Sequence, residues 1–254
     1  MNDLLRPLLG LAAVTALSAA PDERRSGYDF AVAEIRAMQD DDTANPGNLW
    51  VLQGETLWVT RAGAADRSCA DCHEDARVSM KGVAARYPAF DATLARPLDL
   101  EQRINKCRSK HQKADPLAWE GEDLLALTAF VARQSRGLPI AVSSSAELRP
   151  SVTLGKELFE QREGQLNLSC SQCHEDNWGK RLAGTLIPQG HPTGYPVYRI
   201  EWQSLGSLQR RLRNCMTGVR AEAFEYGAPQ AVALELYLME RARGMPMDAP
   251  AVRP

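Results

Sequence analysis

The sequence carries no surplus of charge of either sign. Its 30 lysines and arginines face 32 aspartates and glutamates, a formal net charge of −2. So small a total gives no support for nucleic acid or an anionic membrane as a partner. Long hydrophobic runs are missing as well. The one extended apolar stretch, PLLGLAAVTALSAA behind Arg6, is too short and too rich in alanine, serine and threonine to span a bilayer. With a basic residue before it and small residues at its end, it reads as an export signal over residues 1–20, cut near Ser18–Ala20, although Asp3 and Pro21 depart from the usual pattern. Runs of alternating strand character are absent too. What is left, 44% hydrophobic and 24% charged over 254 residues, is an ordinary globular composition with length for two domains of about 100–150 residues. A periplasmic protein without a membrane span is the expectation.

Two stretches of this chain match at an offset of 101 residues. GETLWVTRAGAADRSCADCHED runs from Gly54 to Asp75, and GKELFEQREGQLNLSCSQCHED from Gly155 to Asp176. They share Gly54/Gly155, Leu57/Leu158, Arg61/Arg162, Gly63/Gly164 and Ser68/Ser169, with Trp58 and Phe159 as aromatic equivalents. Farther along, QRINKCRS around Cys107 resembles RRLRNCMT around Cys215, and LTAFVARQSRGLPI, ending at Ile140, resembles LELYLMERARGMPM, ending at Met247. Each half reads as helix, cysteine motif, variable loop, second cysteine element and closing helix with a Gly-x-Pro stop. Leu124, Leu125, Leu127, Phe130 and Val131 recur at helical spacing, as do Val232, Leu234, Leu236, Leu238 and Met239. The expected architecture is all-α or mostly α. It comprises an N-terminal extension over 21–50 that wraps the surface or docks a partner, a first domain over 51–140, a Ser-rich linker over 141–151, and a second domain over 152–254.

Four of the six cysteines fall in two C-x-x-C-H motifs, Cys69-Ala-Asp-Cys72-His73 and Cys170-Ser-Gln-Cys173-His174. Thiols one helical turn apart can bond the two vinyl groups of a haem, and the next residue aims an imidazole at the iron. Zinc sites space such pairs by roughly 15–20 residues, far less than the gap here, and a thioredoxin-like pair needs a βαβ setting. Two covalent haems c follow, in two tandem class I cytochrome-c-like domains related by approximate two-fold repetition.

For the sixth iron ligand, Met80, Cys107 and His111 are available downstream of the first motif. His191, Cys215, Met216, Met239, Met245 and Met247 are available after the second. Met80 is too close to His73 to reach the opposite haem face. Met245, Met247 and Met239 align with Leu138, Ile140 and Ala132, which are packing positions. The iron-capable residue present in both halves is the cysteine, so His73 pairs with Cys107 and His174 with Cys215, with thiolate donation depressing both potentials. Arg199, Arg210, Arg211, Arg213 and Arg220 cluster near Cys215, a composition suited to binding polyoxygen anions and to lowering a thiol pKa, while at least half of them are expected to pair haem propionates or surface carboxylates. On a helix Arg211 shares the face of Cys215.

The strings GKRLAGTLIPQGHPTGYPVYRIEWQ and RRLRNCMTGVRAE resemble the A subunit of the SoxAX cytochromes of bacterial thiosulfate oxidation, across both haem halves. The resemblance implies an L-cysteine S-thiosulfotransferase. Such an enzyme joins thiosulfate to a cysteine thiol of a SoxYZ-type carrier by two-electron oxidation and passes the electrons to a haem on a small SoxX-type subunit. It implies that Cys215 is the reactive, persulfide-forming ligand and that Arg211 contacts substrate. Because some relatives lack the first haem, it also implies that His73 and Cys107 are dispensable for the chemistry. Two other readings of a dihaem chain are a thiosulfate dehydrogenase, expected to show His/Met ligation at one iron, and a plain electron carrier indifferent to Arg211. A dihaem peroxidase needs an open iron position that two bound cysteines deny.

Overall fold

The computed structural model describes residues 22–182 and 184–254, so the expected export signal lies outside the described residues. Among these, no helix is long and apolar enough to cross a membrane. Helix α1 (Ala33–Asp40) lies in the N-terminal extension. The first half runs α2 (Gly47–Val59), α3 (Ala70–His73), α4 (Ala76–Ser79), β1 (Ala89–Asp91), β2 (Arg96–Leu98), α5 (Leu100–Cys107) and α6 (Glu122–Arg133). The second runs α7 (Arg149–Glu160), α8 (Cys170–His174), β3 (Arg181–Leu182), β4 (Thr185–Leu186), β5 (Val197–Arg199), β6 (Ser204–Gly206), α9 (Leu208–Gly218), α10 (Pro229–Arg241) and β7 (Ala251–Arg253). The mostly helical class holds. The strands escaped the sequence because pieces of two or three residues are too short to show alternation.

Helix α6 has Glu122 and Asp123 in its first turn and Arg133 in its last, charges that complement the helix dipole. It is apolar nearly all round because protein surrounds it: every residue from Leu124 to Ala132 is buried. Helix α2 crosses α6 at Gly54, where a Cβ would lie 2.1 Å from the Ala126 carbonyl oxygen, and α7 crosses α10 at Gly155, where a Cβ would lie 2.1 Å from that of Ala233. The matched glycines are therefore the points where helix backbones touch. Trp58 then packs on Phe130 of α6, and Phe159 on Tyr237 of α10. Helix α7 takes in Arg149 and Pro150, assigned to the linker from sequence, because proline is tolerated in a first helical turn.

The hairpins β1–β2 and β5–β6 are equivalent in register, with Asp91 opposite Arg96 and Arg199 opposite Ser204. Each leads into a capped helix. Asp99 accepts from the Gln102 backbone at 2.7 Å to start α5, and Ser207 from that of Arg210 at 3.1 Å to start α9. The two closing segments pair with each other: Gly137 N donates to the Met247 carbonyl at 2.7 Å, Met247 N to that of Leu138 at 2.9 Å, and Ile140 N to that of Met245 at 2.9 Å. Beneath them one core draws on both halves, with Trp58, Phe130 and Val131 beside Leu236, Met239, Met245 and Met247. The N-terminal extension packs into the molecule as well as over its surface. Ala31 and Ile35 join Leu125 and Ala129 of the first half with Tyr198, Leu205 and Val252 of the second. Its buried Gln39 and Asn45 are satisfied by the C-terminal strand region, Gln39 accepting from Val252 N at 3.1 Å and Asn45 donating to the Pro250 carbonyl at 2.9 Å.

Carboxyl groups meet where the halves touch. Gln209 Nε2 donates to Asp99 at 2.8 Å and to Glu235 at 3.2 Å, with Glu101 buried nearby. Burial, opposed by the Gln102 and Gln209 hydrogen bonds, leaves Asp99 raised to about 6. Burial and the neighbouring Asp99 push Glu235 up to about 8, and burial pushes Glu101 upward too. Unfolded carboxyls titrate near ~4, so the folded state binds more protons between that value and about 8. Stability is then expected to fall as pH rises through this window, by a few kcal/mol in order of magnitude. Urea titrations at pH 5 and pH 8 check this. Glu235→Gln is expected to flatten the difference, and a dependence unchanged in that variant would refute the assignment.

Candidate functional site

Helix α8, a single turn, is fixed at its start, where Ser169 and Gln172 form a reciprocal capping box. That turn sets Cys170 and Cys173 on one side and follows them with His174. The His174 Nδ1 lies 2.7 Å from the Pro188 carbonyl oxygen. With Nδ1–H donated there, Nε2 is left as the ligating nitrogen. In the first half His73 stands against the Trp58 ring, centroids 5.8 Å apart, and Trp58 Nε1 is held by the Glu74 carbonyl at 2.9 Å. All six cysteines are free of disulfides.

Helix α5 carries Cys107 into a cavity of about 690 Å³ that it shares with Cys69, Cys72 and His73. The walls are largely apolar, including Met80, Val83, Phe90, Ile104 and Val131. Helix α9 carries Cys215 into a second cavity with Cys170 and His174, walled by Phe159, Leu208, Leu212, Leu234 and Leu238. The first cavity gathers the donors that a covalent haem needs, two thiols, an imidazole and a further thiol among apolar walls. The second is lined by one motif thiol, the imidazole and Cys215, with Cys173 on the same helical turn and His174 hydrogen-bonded to Cys215. The donor residues suit the group in both halves, the second cavity being the narrower at about 180 Å³.

The other residues singled out from sequence divide clearly. Met239, Met245 and Met247 are core, as their alignment required. Met80 and His111 border the first cavity and His191 the second. Burial and the charges of Arg241 and Arg24 push His191 down to about 4, which keeps it neutral. Arg199 and Arg211 line the cavity of Cys215. The remaining arginines turn elsewhere. Arg210 lies over Trp202 at 4.2 Å, Arg213 over Tyr226 at 4.7 Å with a hydrogen bond to the Phe224 carbonyl, and Arg220 reaches Gln165 at 3.5 Å.

The two axial-position cysteines sit in opposite electrostatic settings. Burial pushes the Cys107 thiol up, and the nearby Arg103 and Lys106 only partly offset it. Both of those cations are engaged by Asp91, at 2.8 Å and 2.5 Å. At Cys215 burial also works against the thiolate. There the facing His174 imidazole, Arg211 and Arg199 outweigh it, and the net shift is downward. Arg211 in turn loses to burial but gains more from Cys215, Tyr195 and Glu201, which raises its pKa. An arginine four residues before the cysteine is common to both halves, since Arg103 precedes Cys107 as Arg211 precedes Cys215. The arginine cluster near Cys215 therefore does not by itself separate the two sites. Asp91 holds the first-half cations, while at Cys215 the largest lowering effect is the hydrogen bond with His174; Glu101 is buried in the carboxyl cluster between the halves. Extending the 108-residue offset upstream pairs Tyr87 with Tyr195 and Asp91 with Arg199, a signal present but unused.

Comparison with known proteins bears directly on this arrangement. A family model described as the SoxA/TsdA cytochrome c domain matches residues 53–140 and 154–247. The chain is 41% identical over 233 residues to the L-cysteine S-thiosulfotransferase subunit SoxA of Pseudaminobacter salicylatoxidans, covering 91% of this chain and 82% of that one. It is 34% identical over 232 residues to the corresponding subunit of Rhodovulum sulfidophilum, covering 91% and 81%. Its fold is similar to the crystal structure of SoxXA from P. pantotrophus, with a TM-score of 0.88 at 30% identity over 91% of this chain and 87% of that one.

Proposed function

This chain belongs to the SoxA/TsdA cytochrome c domain family, and from that premise we propose how its residues divide the work. Its activity is that of an L-cysteine S-thiosulfotransferase. Thiosulfate and a cysteine thiol of a carrier protein are joined into a cysteine S-thiosulfonate, with release of two electrons and one proton. Haem c, bound at each C-x-x-C-H motif, supplies one-electron acceptance at each centre. Cys69 and Cys72 hold one group and Cys170 and Cys173 the other. His73 with Cys107, and His174 with Cys215, would hold the iron of each group when it is bound. The domains over 51–140 and 152–254 each carry one of these centres.

Cys215 is the sulfur-reactive residue. The feature that carries this reading is its setting: Arg211, one helical turn before Cys215, lines its cavity with Arg199 and Arg253 and has no carboxylate partner among the described ion pairs, whereas the equivalent Arg103 is paired with the buried Asp91 at 2.8 Å. Arg211 attracts and orients the thiosulfate dianion beside the Cys215 sulfur. The Pro188 carbonyl holds the His174 ring in one tautomer, which leaves Nε2 free to bind iron. The apolar walls exclude water from the sulfur centres and strengthen the arginine–anion attraction. Electrons leave to a small SoxX-type cytochrome subunit, and the thiol acceptor is a SoxYZ-type carrier. The setting is the periplasm, after removal of residues 1–20.

Electron paramagnetic resonance of the oxidised protein tests the ligand assignment. Two low-spin thiolate-ligated signals are expected, each lost separately in Cys107→Ala and Cys215→Ala. A His/Met-type signal at either centre would overturn the assignment for that haem. The activity itself is tested by thiosulfate-dependent turnover with a thiol carrier and a cytochrome partner, together with mass spectrometry of the Cys215 peptide for added sulfur.

A further inference from the structure

The two halves offer an internal comparison that isolates one position. After Tyr87 and Tyr195 the equivalent hairpins place Asp91 and Arg199 at the same register point. In the first half Arg103 and Lys106 are closed off by one acid, although Arg67, Arg86 and Arg108 also line that cavity. Asp91, 4% exposed, accepts from Arg103 at 2.8 Å and Lys106 at 2.5 Å, while Arg103 Nε also reaches the Tyr87 hydroxyl at 3.1 Å. In the second half the acid is replaced by a base. Tyr195, Arg199, Arg211 and Cys215 line one cavity.

Arg199 is not spent on a strong internal partner. Its one carboxylate contact, Glu201 at 2.8 Å, is to a side chain that is 60% exposed, and such solvent-facing pairs are weak. Its Nε is buried with no hydrogen-bond partner among the described residues. Trp202 braces the guanidinium from one side at 5.2 Å. Burial and the facing Arg211 both act against its charge. A half-buried arginine kept charged beside a second arginine, with a donor unused, is an arrangement that an oxyanion completes.

We infer that Arg199 is the specificity-determining residue of this cavity, clamping the sulfonate oxygens of a sulfur oxyanion together with Arg211, at the register point that Asp91 occupies in the first half. The inference rests on the reading of Cys215 as the reactive sulfur. It deepens that reading by naming what selects an anionic substrate.

The test uses the holoprotein and two thiol reagents of similar size, iodoacetate and iodoacetamide, which differ in charge. Labelling rates of the Cys215 sulfur are followed by peptide mass spectrometry, and their ratio reports local potential separately from access. Arg199→Asp is expected to lower the iodoacetate-to-iodoacetamide ratio by about tenfold, from a change of two charges near the sulfur. Arg199→Gln, nearly neutral in shape, is expected to lower it about threefold, and it serves alone if the aspartate variant fails to load haem. Arg220→Asp, just past the C-terminus of α9 and outside the lining of this cavity, makes the same change in net charge and is expected to leave the ratio within about twofold. Thiosulfate is expected to protect Cys215 at lower concentration in the native protein than in Arg199→Gln. Ratios within twofold of native in both Arg199 variants, with the second haem signal intact, would overturn the inference. If native turnover with the carrier fails, the functional reading falls while the labelling ratio still reports on Arg199. If turnover holds and the ratio does not move, this inference falls alone.

Discussion

Cys215→Ser is expected to abolish thiosulfate-dependent turnover, by on the order of a thousandfold or more, while the first haem signal stays as it was. Removal of a residue through which the reaction passes covalently leaves only binding and positioning effects behind. Those cannot substitute for a sulfur that must carry the incoming group. The substitution acts twice, since it also removes the thiol facing His174 in the second cavity, so the spectrum of that centre is expected to change. Cys107→Ser is the matched control. It alters the first centre in the same way, but that thiol is driven up by burial among cations already claimed by Asp91, and coupling of thiosulfate to the carrier is expected to persist. Equal loss of turnover in the two variants would show that the cysteines are equivalent and would remove Cys215 from its special role.

Arg211→Ala is expected to lower kcat/KM for thiosulfate by about 10–100-fold with both haem spectra intact. This range corresponds to one charge-assisted contact of roughly 1.5–3 kcal/mol. Arg211 is a helical turn away from Cys215 on α9 and ligates neither iron, so ligation does not depend on it. Lysine at 211 is expected to restore part of the loss, because the charge returns without the planar fork. Loss of the second haem signal in Arg211→Ala would mean a structural role instead, and full activity with native KM would rule out contact with substrate.

The haem motifs and the helix pairs were legible because their signals are local or repeated. The i to i+3 thiols, the helical spacing in α6 and α10, and Gly54 with Gly155 all stand in the sequence at fixed intervals. The packing positions of Met239, Met245 and Met247 were also readable, through alignment with residues that cannot bind iron. What was not legible depended on short or distant elements. The hairpins are two or three residues per strand, below the length at which alternation appears. The placing of Ala31 and Ile35 against both halves follows from tertiary contact alone. Asp91 drew no notice because an aspartate sixteen residues before a cysteine means nothing until a hairpin folds it onto α5.

The pairing of Gly137 and Ile140 with Met247 and Met245, over a core that both halves supply, has a consequence for how such a protein can change by mutation. Either half expressed alone would expose that seam as unpaired backbone and apolar surface, and would be insoluble or unfolded. A lineage could therefore discard the first C-x-x-C-H motif by point substitutions more readily than it could delete residues 51–140. The stripped half would persist as a buttress for the other, an inert fossil of a duplication kept for its mechanical worth after its electron-carrying use had gone.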